Sequence, residues 1–337
     1  MKDSAVQIIR YAAWLALAVL LVWFSLRWLQ PPEGQDQGQF LLTVWHRADK
    51  GWLWLMALVM MVSHLVRAER WRMLLVTTGH RATLFQSLLS LLVGYLVNLV
   101  IPRGGEVSRC LNLYRLSRYP VDKSFGTVVA ERAIDLLCFA FVLLIAFWVE
   151  YSRLKVFVAS LSVRIPPLPG LWVWIMAGGM VALLFPALRF IRMRFPRFAV
   201  RIRSFGRGFV NGLKAALHVN RSGLFIAYSL AIWVLYFLMS YAVIMAFEET
   251  RILGLRAVLG LFAIGALAMV LPLPGGTGSY HTLVPAGMTM LYGIPLSEAV
   301  AFTIVFHGWQ TLLTIGGGIP ALLTSAVQRR KKSLERF

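Results

Sequence analysis

Six stretches of this sequence, 11–29, 51–66, 133–149, 171–188, 224–247 and 299–323, are apolar and almost free of charge, while the ionisable residues gather in blocks between them. Each stretch is near the roughly 20 residues that a helix needs to cross about 30 Å of hydrocarbon. Backbone N–H and C=O groups in lipid must be satisfied within the chain, so segments of this kind cross as helices. The chain is therefore expected to be an all-α integral membrane protein. The stretch at 11–29 has the look of a signal peptide, but Arg27-Trp28 closes it and no small-residue cleavage site follows. An uncleaved first helix is the expectation.

A formal net charge of +20 suggests nucleic acid, yet the basic residues flank apolar spans and do not cover a soluble domain with aromatic platforms. Topology explains them better. With a cytoplasmic amino terminus, the blocks at 67–81, 103–132, 189–221 and 329–336, which hold most of the 34 basic residues, all fall inside. The outer loops then carry Glu33, Asp36, Asp49, Glu248 and Glu249, while Arg153, Lys155 and Arg164 run mildly against the assignment. Both termini are expected to be cytoplasmic. Cys110 and Cys138, the two cysteines, fall outside the expected external loops and imply no disulfide framework. No Gly-x-x-x-x-Gly-Lys, His-Glu-x-x-His or Cys-x-x-Cys pattern occurs, so neither nucleotide hydrolysis, nor a metal, nor a cofactor is expected.

Two apolar stretches break at Pro102-Arg103-Gly104-Gly105 and at Pro274-Gly275-Gly276, and their surroundings repeat. Arg81-Ala82-Thr83-Leu84 is answered by Arg256-Ala257-Val258-Leu259, Pro120 by Pro295, and Ala130 through Asp135 by Val305 through Gln310. Such self-similarity is the mark of internal duplication. Basic residues flank 84–101 on both sides, so a full crossing would strand one flank outside. The segment is expected to enter from the cytoplasm and return as a hairpin over 82–118. The second half needs a matching hairpin over 256–293, dipping from outside, to keep Arg329-Arg330-Lys331-Lys332 inside.

The expected architecture is an inverted repeat of about six full transmembrane helices plus two re-entrant hairpins. It divides into a first repeat (1–150), a loop, span and basic connector (151–222) and the rest of the second repeat (223–337). Interrupted helices of this kind meet near the midplane in transporters. Ordinary proline kinks or tight extramembrane turns are the alternative. The connector at 195–217 alternates basic and apolar residues, which suits either an amphipathic helix on anionic headgroups or a solvated basic face.

Gly104-Gly105 followed by Glu106 and Arg109 would open a short helix whose first N–H groups point into the break, a favourable place for an anion. Arg103 and Arg109 add full charge with a geometry suited to phosphate, and Glu106 can hold Arg109 three residues away. Glu131, Arg132 and Asp135 share one stripe of a helix at membrane depth, where ionisable groups mark a functional site by default. The plainer alternative is an Arg132–Asp135 pair that sets helix orientation. In the second half Tyr280, His281, His307 and Gln310 occupy comparable positions, and a histidine there suits proton-linked movement or structural hydrogen bonding.

Pro102-Arg103-x-Gly105-Glu106-x-x-Arg109, Glu131-Arg132-x-x-Asp135 and Pro274-Gly275-Gly276-x-Gly278 together resemble the flippase-like membrane domain of lysylphosphatidylglycerol synthases, over about residues 5–325. The resemblance implies a stand-alone membrane protein of the bacterial inner membrane that binds polar lipids and moves them between leaflets. It implies no aminoacyl-transfer domain, and so no synthesis of the lipid. His281 and His307 depart from the Glu and Arg that relatives carry. On this reading Arg103, Gly104, Gly105, Glu106, Arg109, Glu131, Arg132 and Asp135 would hold an anionic headgroup. Pro274, Gly275, Gly276, Tyr280, His281, His307 and Gln310 would line the second-half pocket. The rival readings are a membrane enzyme using His281 or His307 as base, and a non-transporting partner of an envelope-lipid synthase.

Overall fold

The computed structural model describes residues 36–79, 82–153, 218–270, 276 and 278–334, with 155, 207, 210, 211 and 214 beside them. The expected spans at 11–29 and 171–188, most of the connector at 195–217, and Pro274 and Gly275 lie outside the described residues. Regular structure among the described residues is entirely helical. The first half contains α1 (Gln37–Arg47), α2 (Lys50–Thr77), α3 (Leu84–Asn98), α4 (Gly104–Ser117) and α5 (Val121–Val149). The second contains α6 (Ser222–Ala246), the single turn α7 (Glu248–Arg251), α8 (Leu255–Val270), α9 (Ser279–Tyr292) and α10 (Leu296–Leu334). Among them α2, α5, α6 and α10 are long and apolar enough to cross a membrane, so the chain is a multi-pass, all-α membrane protein.

The helices run beyond the apolar stretches that announced them. The second stretch stops at Val66, but α2 continues to Thr77 through Arg67, Arg70 and Trp71, all buried. Charged residues extend a membrane helix when their partners wait inside the bundle, and here they do.

Local signals set the boundaries. Asp49 caps α2 by accepting the Gly51 N–H at 2.8 Å. Thr83 and Gln86 form a reciprocal capping box at the start of α3. The repeat is visible in these details: α2, α3, α4 and α5 are followed, about 175 residues on, by α6, α8, α9 and α10 in the same order. Arg118 and Gly293 end α4 and α9 in the same left-handed conformation, at φ 59° and 70°, each two residues before a proline that leads into a long helix.

α2 and α6 form the most extensive helix pair, and they are antiparallel. The Asp49 N–H donates to Ala246 O at 2.7 Å, and Arg251 reaches the Asp49 carboxylate at 3.2 Å. α5 also opposes α2, since Trp71 late in α2 donates to Thr127 early in α5 at 3.1 Å. The hairpin α3–α4 has its open end where α2 finishes, and there Tyr119 donates to Leu75 O at 3.1 Å. The hairpin α8–α9 opens at the other end of the bundle, where the Arg153 guanidinium beyond α5 lies 5.3 Å from the Tyr292 ring.

The two hairpins therefore enter the bundle from opposite ends, and their tips meet. Arg103 Nη2 donates to Val270 O at 3.1 Å. The first hairpin is closed by backbone touching backbone: a Cβ added to Gly105 would stand 2.3 Å from Gly94 O. A large apolar cluster surrounds the second hairpin, and a smaller one, with Trp71, Leu75, Cys110 and Leu113, supports the first. Along α2 the large cluster ends at Met60 and the small one begins at Trp71. The charged residues occupy the interval.

Candidate functional site

Glu131 and Asp135, four apart on α5, present both carboxylates to one side of the helix. Arg67, Arg70 and Trp71 on α2 face them at helical spacing. Arg67 Nε donates to Glu131 Oε1 at 3.0 Å, and its other nitrogens bond Asp135 and the Tyr236 hydroxyl of α6. Arg70 Nη2 lies 3.1 Å from Glu131 Oε1 and 2.7 Å from Asp135 Oδ1, while Nη1 donates to Ser229 Oγ at 3.3 Å. From α4, Arg109 donates to Glu131 Oε2 at 2.8 Å with its guanidinium 4.7 Å from the centre of the Trp71 ring. Glu131, wholly buried, thus answers three arginines from two helices.

The rim is wetter. Arg132, with 43 % of its side chain exposed, bridges Glu106 Oε1 at 3.1 Å and Asp135 Oδ2 at 3.7 Å. Four guanidinium groups (Arg67, Arg70, Arg109, Arg132) therefore meet three carboxylates (Glu106, Glu131, Asp135), leaving one positive charge in excess. The member with the exposed side chain is Arg132, and a guanidinium there can offer an anion charge-assisted hydrogen bonds. Arg109 Nε is buried with no hydrogen-bond partner among the described residues. From the start of α5, at the open end of the first hairpin, Glu131 lies about 15 Å along the helix at a rise of about 1.5 Å per residue.

The pairing differs from the expected one. Glu106 does not hold Arg109; the partners cross, Glu106 to Arg132 and Arg109 to Glu131. Residues three apart on α4 diverge here because α5 offers each a better-placed opposite charge. The glycines also differ in use. The Gly105 N–H is taken by Asn98 Oδ1 at 2.7 Å and the Gly104 N–H by Ile101 O at 3.0 Å. These two donors are occupied within the hairpin, and the arginines carry the free positive charge. Arg103 adopts a left-handed conformation, φ 56°, at the tip. A non-glycine residue holds that conformation at a cost, which the bond to Val270 O helps to offset.

In the second half, the structure brings Tyr280, His281 and His307 together: the two imidazole rings are 4.7 Å apart and Tyr280 stacks on His307 at 5.6 Å. Gly276 has φ 76° and Gly278 φ 97°, which places the backbone turn where the break was expected. Gln310 is half-buried on α10, one turn beyond His307. His64 packs its ring 4.8 Å from Tyr95. Cys110 and Cys138 are free thiols, and no three metal-ligating side chains converge among the described residues.

Arg67, Arg70, Trp71 and Tyr236 were not singled out by sequence. Arg67 and Arg70 were counted with a basic block on the cytoplasmic flank, whereas both are buried. Their spacing was the available signal: three apart, adjoining a tryptophan, on an unbroken helical period.

These features define a class: a multi-pass helical membrane protein with two opposed hairpins and a net-positive ionic cluster beside the tip of one of them. The chain belongs to the family described as the lysylphosphatidylglycerol synthase TM region, whose model matches residues 11–318. It is also similar to a UPF0104 membrane protein of Methanothermobacter thermautotrophicus, with 28 % identity over 235 residues, 64 % of this chain and 68 % of that protein. No solved structure matches.

Proposed function

We propose that the protein binds a polar anionic lipid by its headgroup and carries it between leaflets, without nucleotide hydrolysis. The observation that carries this reading is the uncompensated positive charge of the arginine–carboxylate cluster, open at Arg132 and set beside the junction of the hairpin tips. Membership of a membrane family named for lysylphosphatidylglycerol synthases supports a lipid as the ligand. In the mechanism, Arg103, Arg109 and Arg132 hold the headgroup, while Glu131 and Asp135 fix the arginines from behind and the acyl tails stay in hydrocarbon. An incoming phosphate takes the place of Glu106 on Arg132 and draws Arg103 from Val270 O. Of the two bonds it replaces, the one from Arg103 to Val270 O joins the first hairpin to the second, so ligand binding frees one half to rock against the other.

On this reading both hairpins are re-entrant, the repeat is inverted about the bilayer midplane, and both termini face the cytoplasm. The test is movement of tail-labelled phosphatidylglycerol in vesicles of phosphatidylethanolamine and phosphatidylglycerol containing the purified protein. Arg103→Gln with Arg132→Gln should slow movement at least about tenfold, which corresponds to about 1.4 kcal/mol or more, with the protein still folded because both side chains are exposed. Unchanged movement in that variant overturns the assignment. Retained lipid binding with no movement in the wild type favours the lipid-binding partner of a synthase instead.

A further inference from the structure

Where the second hairpin opens, a cavity of about 560 Å³ lies between the end of α5, the start of α8 and the end of α9. Arg153 just beyond α5, Arg256 in the first turn of α8 and Tyr292 at the end of α9 line it, and no carboxylate lines it among the described residues. Asp49 and Glu249, at the same end of the bundle, are turned to other partners, Arg251 at 3.2 Å and Arg47 at 4.0 Å. The start of α8 is also on the wall, and a helix N-terminus carries partial positive charge. Positive charge thus gathers around a space with no opposing charge in its lining.

The two arginines are held differently. Arg153 Nη1 donates to Glu150 Oε2 at 3.4 Å, and the guanidinium lies 5.3 Å from the centre of the Tyr292 ring. Gly260 makes room for that ring, since a Cβ there would stand 2.3 Å from the Tyr292 hydroxyl. One nitrogen of Arg153 is therefore anchored, and Nε and Nη2 have no partner among the described residues. Arg256 meets no carboxylate and no hydrogen-bond acceptor among the described residues, whereas each guanidinium of the arginine–carboxylate cluster touches a carboxylate. The lip of the cavity is apolar: Ile252 and Leu255 line the same space and are 85 % and 63 % exposed. Cationic groups beside uncovered apolar surface fit an amphiphile, with its anion in the cavity and its chains along the lip.

We propose that this cavity binds a phosphate-bearing ligand through Arg153 and Arg256, and that its apolar lip selects a lipid over free phosphate. A guanidinium presents paired N–H donors that match phosphate oxygens. The site stands at the open end of the second hairpin, remote from the open end of the first, so a headgroup leaving the arginine–carboxylate cluster has a second resting place. That role rests on the translocation reading; the binding itself does not.

The test reads the cavity directly. Gly254 lines it and faces open space, so Gly254→Cys, introduced with Cys110→Ala and Cys138→Ala, takes an environment-sensitive fluorophore at the rim of the purified full chain in detergent. Should Cys110→Ala not fold, Cys110 is kept, because it is buried and does not label. Dihexanoyl phosphatidylglycerol, titrated at constant ionic strength, should give a saturable change. Arg153→Gln with Arg256→Gln should weaken that binding at least about tenfold, as the loss of charge-assisted hydrogen bonds does. Both side chains are exposed, so this variant keeps its fold. Inorganic phosphate should bind at least about tenfold more weakly than the lipid, and Ile252→Gln with Leu255→Gln should close the gap. No saturable change in the parent protein, or an unchanged affinity after both arginines are replaced, overturns the proposal. Equal affinity for inorganic phosphate and for the lipid overturns the assignment to a lipid. Arg103→Gln with Arg132→Gln should leave the affinity read at residue 254 within about twofold, since the sites are distant, and its loss there would assign the signal to the first cluster and overturn the proposal. Because the readout involves no lipid movement, its failure leaves the proposed translocation standing, and failure of translocation leaves this result standing.

Discussion

Where the first half buries Glu131 against three guanidinium groups, the second half, at the equivalent position, buries Phe306 among Phe302 and Tyr280. Arg109 is matched by the buried Val284, Arg132 by His307 and Asp135 by Gln310. One succession of helices is thus stabilised in two ways. The first half depends on electrostatic closure, in which each buried charge requires the next. The second depends on apolar and aromatic packing, which is non-directional and tolerates change of shape.

The contrast can be broken most sharply at Glu131. Glu131→Ala should destabilise the protein by about 3–5 kcal/mol, since three buried arginines lose a shared partner, whereas Phe306→Leu should cost less than about 1.5 kcal/mol. Thermal unfolding in detergent would measure both, and equal losses would show that the two halves are not stabilised differently. Next in size is the hairpin crossing. Gly105→Ala places a Cβ 2.3 Å from a backbone oxygen and should cost about 1–3 kcal/mol, while Gly265→Ala meets only the Tyr280 ring edge at 3.1 Å and should cost under about 1 kcal/mol. The same unfolding assay decides it.

Smaller effects test the repeat itself. Removing the Asn98 side chain, Asn98→Ala, frees the Gly105 N–H and should cost about 1 kcal/mol. The two left-handed helix ends should respond in opposite senses. Arg118→Gly removes a strained side-chain conformation and should stabilise by about 0.5–1 kcal/mol, and Gly293→Ala should destabilise by about 1 kcal/mol. Responses of the same sign would separate the two ends that the repeat equates.

Much of the fold could be read from residue order, because its causes are local. Apolar run length gives the helices, and the capping box at Thr83–Gln86 and the glycines of the breaks give the hairpins. Glu131 and Asp135 were legible for the same reason: charge on one stripe of an apolar helix has no comfortable place outside a bundle interior. Arg67 and Arg70 were not. A basic residue at the edge of an apolar stretch looks the same in a sequence whether it meets water or a carboxylate sixty residues away. Counting basic residues for topology assumes the first case, and here α2 carries two of them into the second.

What the sequence by itself determined, among the described residues, is the four long apolar helices, the breaks between the shorter ones, the duplicated order and the residues too polar to face lipid. These follow from backbone hydrogen bonding and hydrophobicity, which act over a few turns. Only the tertiary structure decided who pairs with whom: Glu106 with Arg132 and not with Arg109, Glu131 with three arginines, Arg103 with the far hairpin, His281 with His307. Electrostatic and ring contacts depend on distances of a few ångströms between segments remote in the chain, and those distances exist only once the helices have packed.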